Sequence, residues 1–316
     1  MSKRILITGA QGFVGKKLAA HLQADGHTVL TTDYASPGES EFDSPCDVSN
    51  DGAVDELLKW AAPLDAVVHL AAITFVPQAQ ADPARVIEVN LNGTMHLINA
   101  MHQSTPEARL LFVSTSEVYG PPQKLPIDES HPFNPHNPYA VSKAAADNYC
   151  RDMQDSFELD IVRMRPFNHS GPGQADSFVL SSFARQIAAM ESGLQEPVMR
   201  VGNLEAARDF THVDDIVRAY ALALDHGTRG AVYNLCSGTS RSIQSALDTL
   251  LDLSDVTVDI QVDPERMRPS DIAEIRGSHD AFTHETGWTP EKSFQTLLED
   301  LLNDWRTRLA REAAAS

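Results

Sequence analysis

The sequence predicts an α/β protein in which a doubly wound parallel sheet is joined to a smaller, mostly helical lobe. Through the first half of the 316 residues, short apolar segments rich in β-branched residues alternate with amphipathic segments. This alternation is typical of a parallel sheet with crossover helices. A glycine-rich turn follows the first apolar segment directly, as in a βα unit. After Pro166 the alternation weakens and helical periodicity predominates.

The strands and helices of the first half follow from this pattern. Apolar runs predict strands at 4–8, 28–32, 66–70, 110–114 and 160–164. Apolar residues at helical spacing predict helices at 13–24, 51–60, 84–102 and 139–156. Segment 121–138 contains six of the 18 prolines, so we expect a stiff irregular loop that ends just before Tyr139.

In the second half, helices are predicted near 176–192, 213–226, 242–252 and 293–311. We expect residues 1–167, completed by 210–236, to form the sheet domain. Residues 168–209 and 237–316 would then form the smaller lobe.

The charge of the chain limits its partners. Twenty-five Lys and Arg against 44 Asp and Glu give a formal net charge of −19. This charge repels phosphate backbones and anionic membranes, so we expect neither a nucleic-acid nor a membrane partner. Any anionic ligand would have to be held by local arginines.

Cysteine and histidine usage points to a cytoplasmic protein without a metal site. Cys46, Cys150 and Cys236 form no CxxC pair, and no histidine spacing is that of a metal site. No apolar segment has the length of a signal-peptide core or a membrane span.

The glycine-rich turn has the composition of a dinucleotide site. Glycines between a strand and a helix let backbone N–H groups approach a pyrophosphate, which makes this a Rossmann-type turn. A tight βα connection without a ligand is the alternative. The candidate pyrophosphate-binding residues are Gly9, Gln11, Gly12, Phe13, Val14 and Gly15.

Asp33 ends the second predicted strand, 18 residues after Gly15, near the position at which a carboxylate binds the adenosine ribose. No Lys or Arg follows Asp33 before Lys59. A 2′-phosphate would meet an uncompensated carboxylate, so the sequence predicts NAD(H) in preference to NADP(H).

Tyr139 and Lys143 are four residues apart on a predicted helix and therefore share a face. A phenol with a pKa near 10 is a poor acid or base at pH 7, but a neighbouring ammonium lowers that pKa. Thr115 closes the strand that begins at Leu110, whose carboxyl end would open into a ligand crevice. We expect Lys143 to lower the pKa of Tyr139, and Thr115 to hydrogen-bond the same substrate oxygen as Tyr139.

These motifs together resemble the extended short-chain dehydrogenase/reductases over essentially the whole chain. The resemblance rests on the glycine-rich turn, segments 69–72 (HLAA), 90–94 (NLNGT) and 115–120 (TSEVYG), and the Tyr139 and Lys143 pair. It implies that Thr115, Tyr139 and Lys143 form a catalytic triad, with Asn90 organising an active-site water and the helix geometry. It also implies cofactor contacts from Asp47, Val48, Leu70, Ala71, Ala72, Tyr139, Lys143 and Pro166.

The second half is similar to one group of that family, the GDP-4-dehydro-6-deoxy-D-mannose reductases. Segments 165–174, 181–187, 201–210 and 263–271 carry this similarity. It implies that Asn168, Arg208 and Arg268 lie near the diphosphate of a nucleotide sugar and Arg185 nearer its base. Thr74 and Asn203 complete the expected substrate residues. Beside the sugar, segment 73–77 (ITFVP) replaces the serine-rich pattern of that group.

The implied function is nicotinamide-dependent reduction of a GDP-4-keto-6-deoxyhexose to GDP-D-rhamnose or its C4 epimer. The resemblance also implies a homodimer paired through helices 84–102 and 139–156. Glu117 keeps a nucleotide-sugar 4,6-dehydratase or 4-epimerase open, because a Glu at this place is the base of the dehydratases. A non-catalytic, cofactor-sensing regulator is a third possibility, which the presence of Tyr139 and Lys143 disfavours.

Overall fold

The first half of the chain alternates strands and helices, as its sequence predicts. The computed structural model describes residues 2–34, 40–266 and 272–315. The elements of this half are β1 (Arg4–Thr8), α1 (Phe13–Ala24), β2 (Thr28–Asp33), β3 (Asp43–Pro45), α2 (Asp51–Ala61), β4 (Ala66–His69), α3 (Val76–Ala81), α4 (Pro83–Ile87), a π-helical turn (Glu88–Asn92), α5 (Gly93–Ser104), β5 (Arg109–Val113), a 3-10 turn (Ser116–Tyr119), α6 (Pro138–Phe157) and β6 (Ile161–Pro166).

The second half contains both helices and short strands. Its elements are β7 (Asn168–Ser170), α7 (Val179–Glu191), β8 (Val198–Val201), β9 (Ala207–His212), α8 (Val213–His226), β10 (Val232–Leu235), β11 (Ser240–Ser242), α9 (Ile243–Asp252), β12 (Asp259–Val262), a 3-10 turn (Pro264–Arg266), β13 (Glu274–Ile275), α10 (Asp280–Thr286) and α11 (Phe294–Ala315).

The central sheet has seven strands in the order β10-β6-β5-β4-β1-β2-β3, and each neighbouring pair is parallel. The strand order reverses between β1 and β4, so a crevice forms at their carboxyl ends. The glycine-rich turn leaves β1 at this point. The prediction of a doubly wound parallel sheet is confirmed.

The smaller lobe is less helical than predicted. A four-stranded sheet joins β7, β9, β11 and β13, and a two-stranded sheet joins β8 and β12. These strands are two to six residues long, and all four residues of β12 are exposed. Strands this short and polar carry too few alternating apolar positions to be recognised from periodicity.

The predicted helix 84–102 is also more complex than expected. It consists of α4, the π-helical turn and α5. Asp82 caps α4 by accepting a hydrogen bond from the Arg85 N–H at 3.1 Å. Single π-helical turns inside helices are frequent at functional sites, and this one carries Asn90.

Apolar side chains fill both faces of the central sheet. One cluster packs α1 and α8 on the sheet, and the other packs α2, α5 and α6 on its opposite face. A third cluster, built from α7, α9, α11 and β8, forms the core of the lobe. Among the described residues, no helix is long and apolar enough to cross a membrane.

Candidate active site

The turn between β1 and α1 brings glycines against the neighbouring strand. Gly9 has a φ of +70°, and a Cβ at this position would lie 2.6 Å from the backbone nitrogen of Ala71. A Cβ on Gly15 would lie 2.7 Å from the Cα of Ala10. Both positions therefore require glycine for the helix and the strands to pack this closely.

The N-terminus of α1 fits a pyrophosphate. Gly12 is the N-cap residue, its helix start has no side-chain cap within the described structure, and the first turn holds no acidic residue. The N–H groups of the first turn, including those of Phe13 and Val14, have no partner inside the helix, and the helix dipole favours an anion there. These features fit the phosphates of a dinucleotide.

Asp33 and the segment after β4 flank this turn. The Asp33 carboxylate accepts a hydrogen bond from the backbone N–H of Gln11 at 3.2 Å. On the other side of β1, the Leu70 N–H donates to the Thr8 carbonyl at 3.1 Å. The Ala71 N–H donates to the Thr8 hydroxyl at 3.2 Å. The structure thus brings the glycine turn, the carboxylate and segment 70–72, which includes Ala72, to one edge of the sheet.

Asp47 follows β3 and has two hydrogen-bond partners inside the protein, Ser49 and Arg85. Its carboxylate accepts hydrogen bonds from the Arg85 guanidinium at 2.8 Å and from the Ser49 hydroxyl at 2.7 Å. The side chain of Val48 is buried in the core below. Pro166 is buried at the end of β6. No motif in the sequence marks Arg85, because it is a single arginine 38 residues from Asp47.

Thr115, Tyr139 and Lys143 are brought together between β5 and α6, and all three are buried. Asn137 is the N-cap of α6 and accepts a hydrogen bond from the Ala140 N–H at 2.8 Å. Pro138 occupies the first helical position, where its missing N–H costs nothing. This helix start places Tyr139 in the first turn and Lys143 one turn later on the same face.

The surroundings of Tyr139 hold its phenol in the protonated form. Burial raises the pKa of Tyr139 well above its usual range, the Glu117 carboxylate raises it further, and a hydrogen bond with Thr115 opposes the rise. The prediction that the neighbouring ammonium lowers this pKa is wrong for this structure. Burial outweighs the other influences, and the charged group that acts on the phenol is a carboxylate.

Lys143 is itself buried, with its ammonium 4.4 Å from the centre of the Phe112 ring. Burial lowers the pKa of Lys143 to about 8, although the nearby Asp147 opposes this. Burial and the positive charge of Lys143 lower the pKa of His69 to about 3. The imidazole is therefore neutral at pH 7, while the ammonium remains mostly charged.

Asn90 connects the segment after β4 to α6. Its side-chain carbonyl accepts a hydrogen bond from the Ile73 N–H at 2.8 Å. Its side-chain amide donates to the Ile73 carbonyl and to the Ser142 hydroxyl, each at 3.0 Å. Asn90 is completely buried, so these bonds fix the helix geometry beside Lys143.

Glu117 lies between the cleft and the start of α6. Its carboxylate accepts a hydrogen bond from the Asn137 side-chain amide at 2.8 Å. The same Asn137 caps α6, so Glu117 is tied to the helix that carries Tyr139. Its negative charge also acts directly on the phenol.

A cleft of about 1900 Å³ opens beside these residues, between the carboxyl edge of the sheet and the lobe. Ligand pockets for small molecules measure roughly 300–1,000 Å³, so the cleft has room for a nucleotide-linked sugar. Six of the predicted residues line it, namely Thr74, Glu117, Asn168, Arg185, Asn203 and Arg208.

The arginines of the cleft are held by the lobe. The Arg208 guanidinium donates to the carbonyls of Ala207 at 2.8 Å and Ile272 at 2.7 Å. Arg185 pairs with Asp176 at 3.3 Å. Arg268 lies outside the described residues.

Arg200 also lines the cleft, although no sequence motif marks it. It is the exposed residue of β8, between the buried Met199 and Val201. A four-residue strand is too short to reveal this alternation from the sequence.

Comparisons with known proteins agree with this architecture. The family model of GDP-mannose 4,6-dehydratase matches residues 6–301. A protein of Pseudomonas aeruginosa named GDP-6-deoxy-D-mannose reductase is 40% identical over 314 residues, which cover 99% of this chain and all of that protein.

Two solved structures extend the similarity. RMD from Pseudomonas aeruginosa, complexed with NADPH, superposes with a TM-score of 0.88 at 39% identity, over 97% of this chain and 100% of that one. UDP-glucose 4-epimerase of Thermus thermophilus, complexed with NAD, gives a TM-score of 0.84 at 28% identity, over 96% and 99% of the two chains.

The resemblance to the extended short-chain dehydrogenase/reductases is thereby confirmed, and a nicotinamide cofactor is supported. The seven-stranded sheet, the glycine turn and the similarity over nearly the whole chain all support membership of this family. This chain belongs to the GDP-mannose 4,6-dehydratase family and is a nicotinamide-dependent enzyme of the extended short-chain dehydrogenase/reductase type.

Proposed function

We propose that this enzyme reduces the 4-keto group of GDP-4-dehydro-6-deoxy-D-mannose, giving GDP-D-rhamnose or its C4 epimer. The observation that carries the proposal is the position of Tyr139, which is buried with Thr115 and Lys143 next to Glu117, a residue of the cleft lining. The 40% identity to the Pseudomonas aeruginosa reductase supports the choice of substrate.

Each member of the triad has a distinct task. When bound, the cofactor supplies a hydride to C4 of the sugar. Tyr139 donates its phenol proton to the oxygen on C4 as negative charge develops there. The Thr115 hydroxyl hydrogen-bonds the same oxygen, and the Lys143 ammonium holds the nicotinamide ribose and adds positive charge.

Cofactor stoichiometry tests the reaction type. Supplied with GDP-4-dehydro-6-deoxy-D-mannose, a reductase consumes one reduced cofactor per product, because the hydride stays on the sugar. A dehydratase or an epimerase returns the hydride, so its cofactor is not consumed. The contact of Glu117 with the surroundings of Tyr139 favours this second candidate function. Turnover of GDP-D-mannose or a UDP-hexose without net cofactor oxidation would establish it.

We infer a preference for NAD(H) over NADP(H). The Asp33 carboxylate lies beside the glycine turn, where it would repel a 2′-phosphate. Tyr34, the next residue, is 76% exposed and can accept substitution. We expect a lower Kd for NADH than for NADPH, and a reversal in the double variant Asp33→Ser, Tyr34→Arg. Since RMD is known with NADPH, tighter binding of NADPH by the wild type is the result that would overturn the inference.

We also propose that Arg208, Arg268 and Arg185 hold the nucleotide diphosphate, with Asn168 and Asn203 beside them. A chain with a net charge of −19 gains no long-range attraction for a dianion, so affinity must come from charge-assisted hydrogen bonds. Arg208 is positioned for this role, because backbone carbonyls orient its guanidinium in the cleft.

Isothermal titration tests both the arginines and the base. Arg208→Ala or Arg268→Ala should weaken GDP binding by about 1.5–3 kcal/mol, the scale of a hydrogen bond to a charged group. NADH binding should not change, and Arg229→Ala, at an exposed position away from the cleft, is the matched control. Unchanged GDP affinity would remove these arginines from the site, and tighter binding of UDP than of GDP would change the substrate class.

Assembly and location complete the proposal. We propose a homodimer that pairs through α4, the π-helical turn, α5 and α6. We also propose that the protein is located in the cytoplasm. The exposure of Val141 on α6 supports the first point, and the three free cysteines support the second.

A further inference from the structure

Two chemically different groups of side chains meet at Tyr139. One group is apolar: Ile73 and Val76 pack with Ala79 and Val86 against the Tyr139 ring. The other group is polar and follows β5: Thr115 hydrogen-bonds Tyr139, the Glu117 carboxylate acts on its phenol, and Ser116 between them lines the cleft.

The apolar group continues across the cleft. Phe75, next to Val76, contacts Phe178 of the lobe edge-on, with ring centres 6.0 Å apart. Phe75, Val76 and Phe178 all line the cleft. Phe178 is 38% exposed, so its ring presents apolar surface to whatever occupies the space beside it. We call Phe75, Val76 and Phe178 the apolar wall.

The atoms next to the reacting carbon have matching chemistry. In a 4-keto-6-deoxyhexose, C4 has two ring neighbours: C3, which carries a hydroxyl, and C5, which carries the C6 methyl. When the oxygen on C4 hydrogen-bonds the Tyr139 phenol, the C3 side of the sugar beside it is polar and the C5 side, which carries the methyl, is apolar. A hydroxymethyl group on C5, as in glucose or mannose, would place a C6 hydroxyl on the second side.

We propose that the apolar wall receives the C6 methyl of the substrate and makes this enzyme specific for 6-deoxy sugars over sugars with a C6 hydroxyl. The polar group on the β5 side then faces the C3 hydroxyl. Within the apolar wall a C6 hydroxyl would lose its hydration without gaining a partner, which is the cost that discriminates. This inference rests on the proposed function, because it takes the substrate to be a GDP-linked 4-keto-6-deoxyhexose.

Binding of two nucleotides that differ by one atom tests the proposal. GDP-6-deoxy-D-mannose and GDP-D-mannose differ only in the C6 hydroxyl. Titration in the presence of reduced cofactor prevents turnover, because neither nucleotide has a keto group to reduce. The wild type should bind the 6-deoxy nucleotide about 10- to 100-fold more tightly. A wild-type ratio near one would overturn the proposal while leaving the proposed function intact.

Substitutions in the apolar wall then test whether it causes the difference in affinity between the two nucleotides. Val76→Thr keeps the side-chain shape but replaces one methyl group by a hydroxyl, so the affinity ratio should fall to within about threefold. Phe178→Gln, at a partly exposed position that tolerates a polar side chain, should also lower the affinity ratio. Val262→Thr makes the same chemical change at a 65% exposed position and should leave the ratio unchanged.

Two further outcomes count against the proposal. Ratios that stay at the wild-type value in both wall variants would show that other residues recognise C6. Failure of the wild type to bind either nucleotide would overturn the proposed function, and this inference with it.

Discussion

The phenol oxygen of Tyr139 is the atom at which the proposed reaction transfers a proton to the substrate. Tyr139→Phe keeps the ring and removes that proton, so we expect kcat to fall by about 10² to 10⁴. Cofactor binding, measured by fluorescence titration, should be retained. The matched control is Tyr149→Phe on the same helix, whose hydroxyl contacts only Asn99 in the described hydrogen bonds, at 2.6 Å. Near-normal turnover of Tyr139→Phe would remove this residue from the mechanism.

Lys143 gives the enzyme an expected alkaline limit. Burial lowers its pKa from 10.5 to about 8, so the ammonium that we propose to hold the cofactor ribose is lost above that pH. We expect kcat/KM to fall as the pH rises through about 8, and this decline should disappear in Lys143→Met, which is slower at every pH. Activity that stays level up to about pH 10 would contradict the assignment.

Lys143 also affects stability, and its contribution to stability rises with pH where the activity is expected to fall. Between pH 8 and 10.5 the unfolded chain binds more protons at Lys143 than the folded chain does. The contribution of Lys143 to the free energy of unfolding therefore rises with pH across this window.

At the scale of secondary-structure elements, the start of α6 couples helix stability to catalysis. The Asn137 side chain caps α6 through the Ala140 N–H and donates to Glu117. Asn137→Ala should lower the free energy of unfolding by about 0.5–2 kcal/mol, the usual cost of losing such a cap. It should also lower kcat, because Tyr139 lies in the first turn of this helix.

The chain offers a matched control for this prediction. Asn50 caps α2 in the same way, by accepting a hydrogen bond from the Ala53 N–H at 3.1 Å. Asn50→Ala should cost a similar amount of stability in urea titration and leave kcat unchanged. Equal effects of the two substitutions on kcat would show that the Asn137 cap has only a structural role.

At the scale of the whole molecule, α6 presents an apolar side chain near its start. Val141 is 45% exposed, two residues after Tyr139, on the helix that we expect at the dimer interface. Light scattering at micromolar concentration should give the mass of a dimer. Val141→Glu should shift the mass toward the monomer, because a charge would be buried in the interface. Leu194→Glu, at a 61% exposed position after α7, should remain dimeric. A monomeric wild type would refute the dimer.

The sequence by itself determined the parallel sheet, the glycine turn and the spacing of Tyr139 and Lys143. These features are local, because strand and helix periodicity and a four-residue helical spacing depend only on neighbouring residues. The division of the chain into a sheet domain and a lobe remains a prediction from the sequence.

The tertiary structure decided what depends on distant residues. It buried Tyr139 beside Glu117 and so raised a pKa that the sequence predicted to fall. It paired Asp147 of α6 with Arg163 and Arg165 of β6, at 3.2 and 2.9 Å, one helical turn from Lys143. It also placed Val76 and Phe178, about a hundred residues apart, on one cleft. Burial and long-range packing set these properties, and no local pattern in the sequence encodes them.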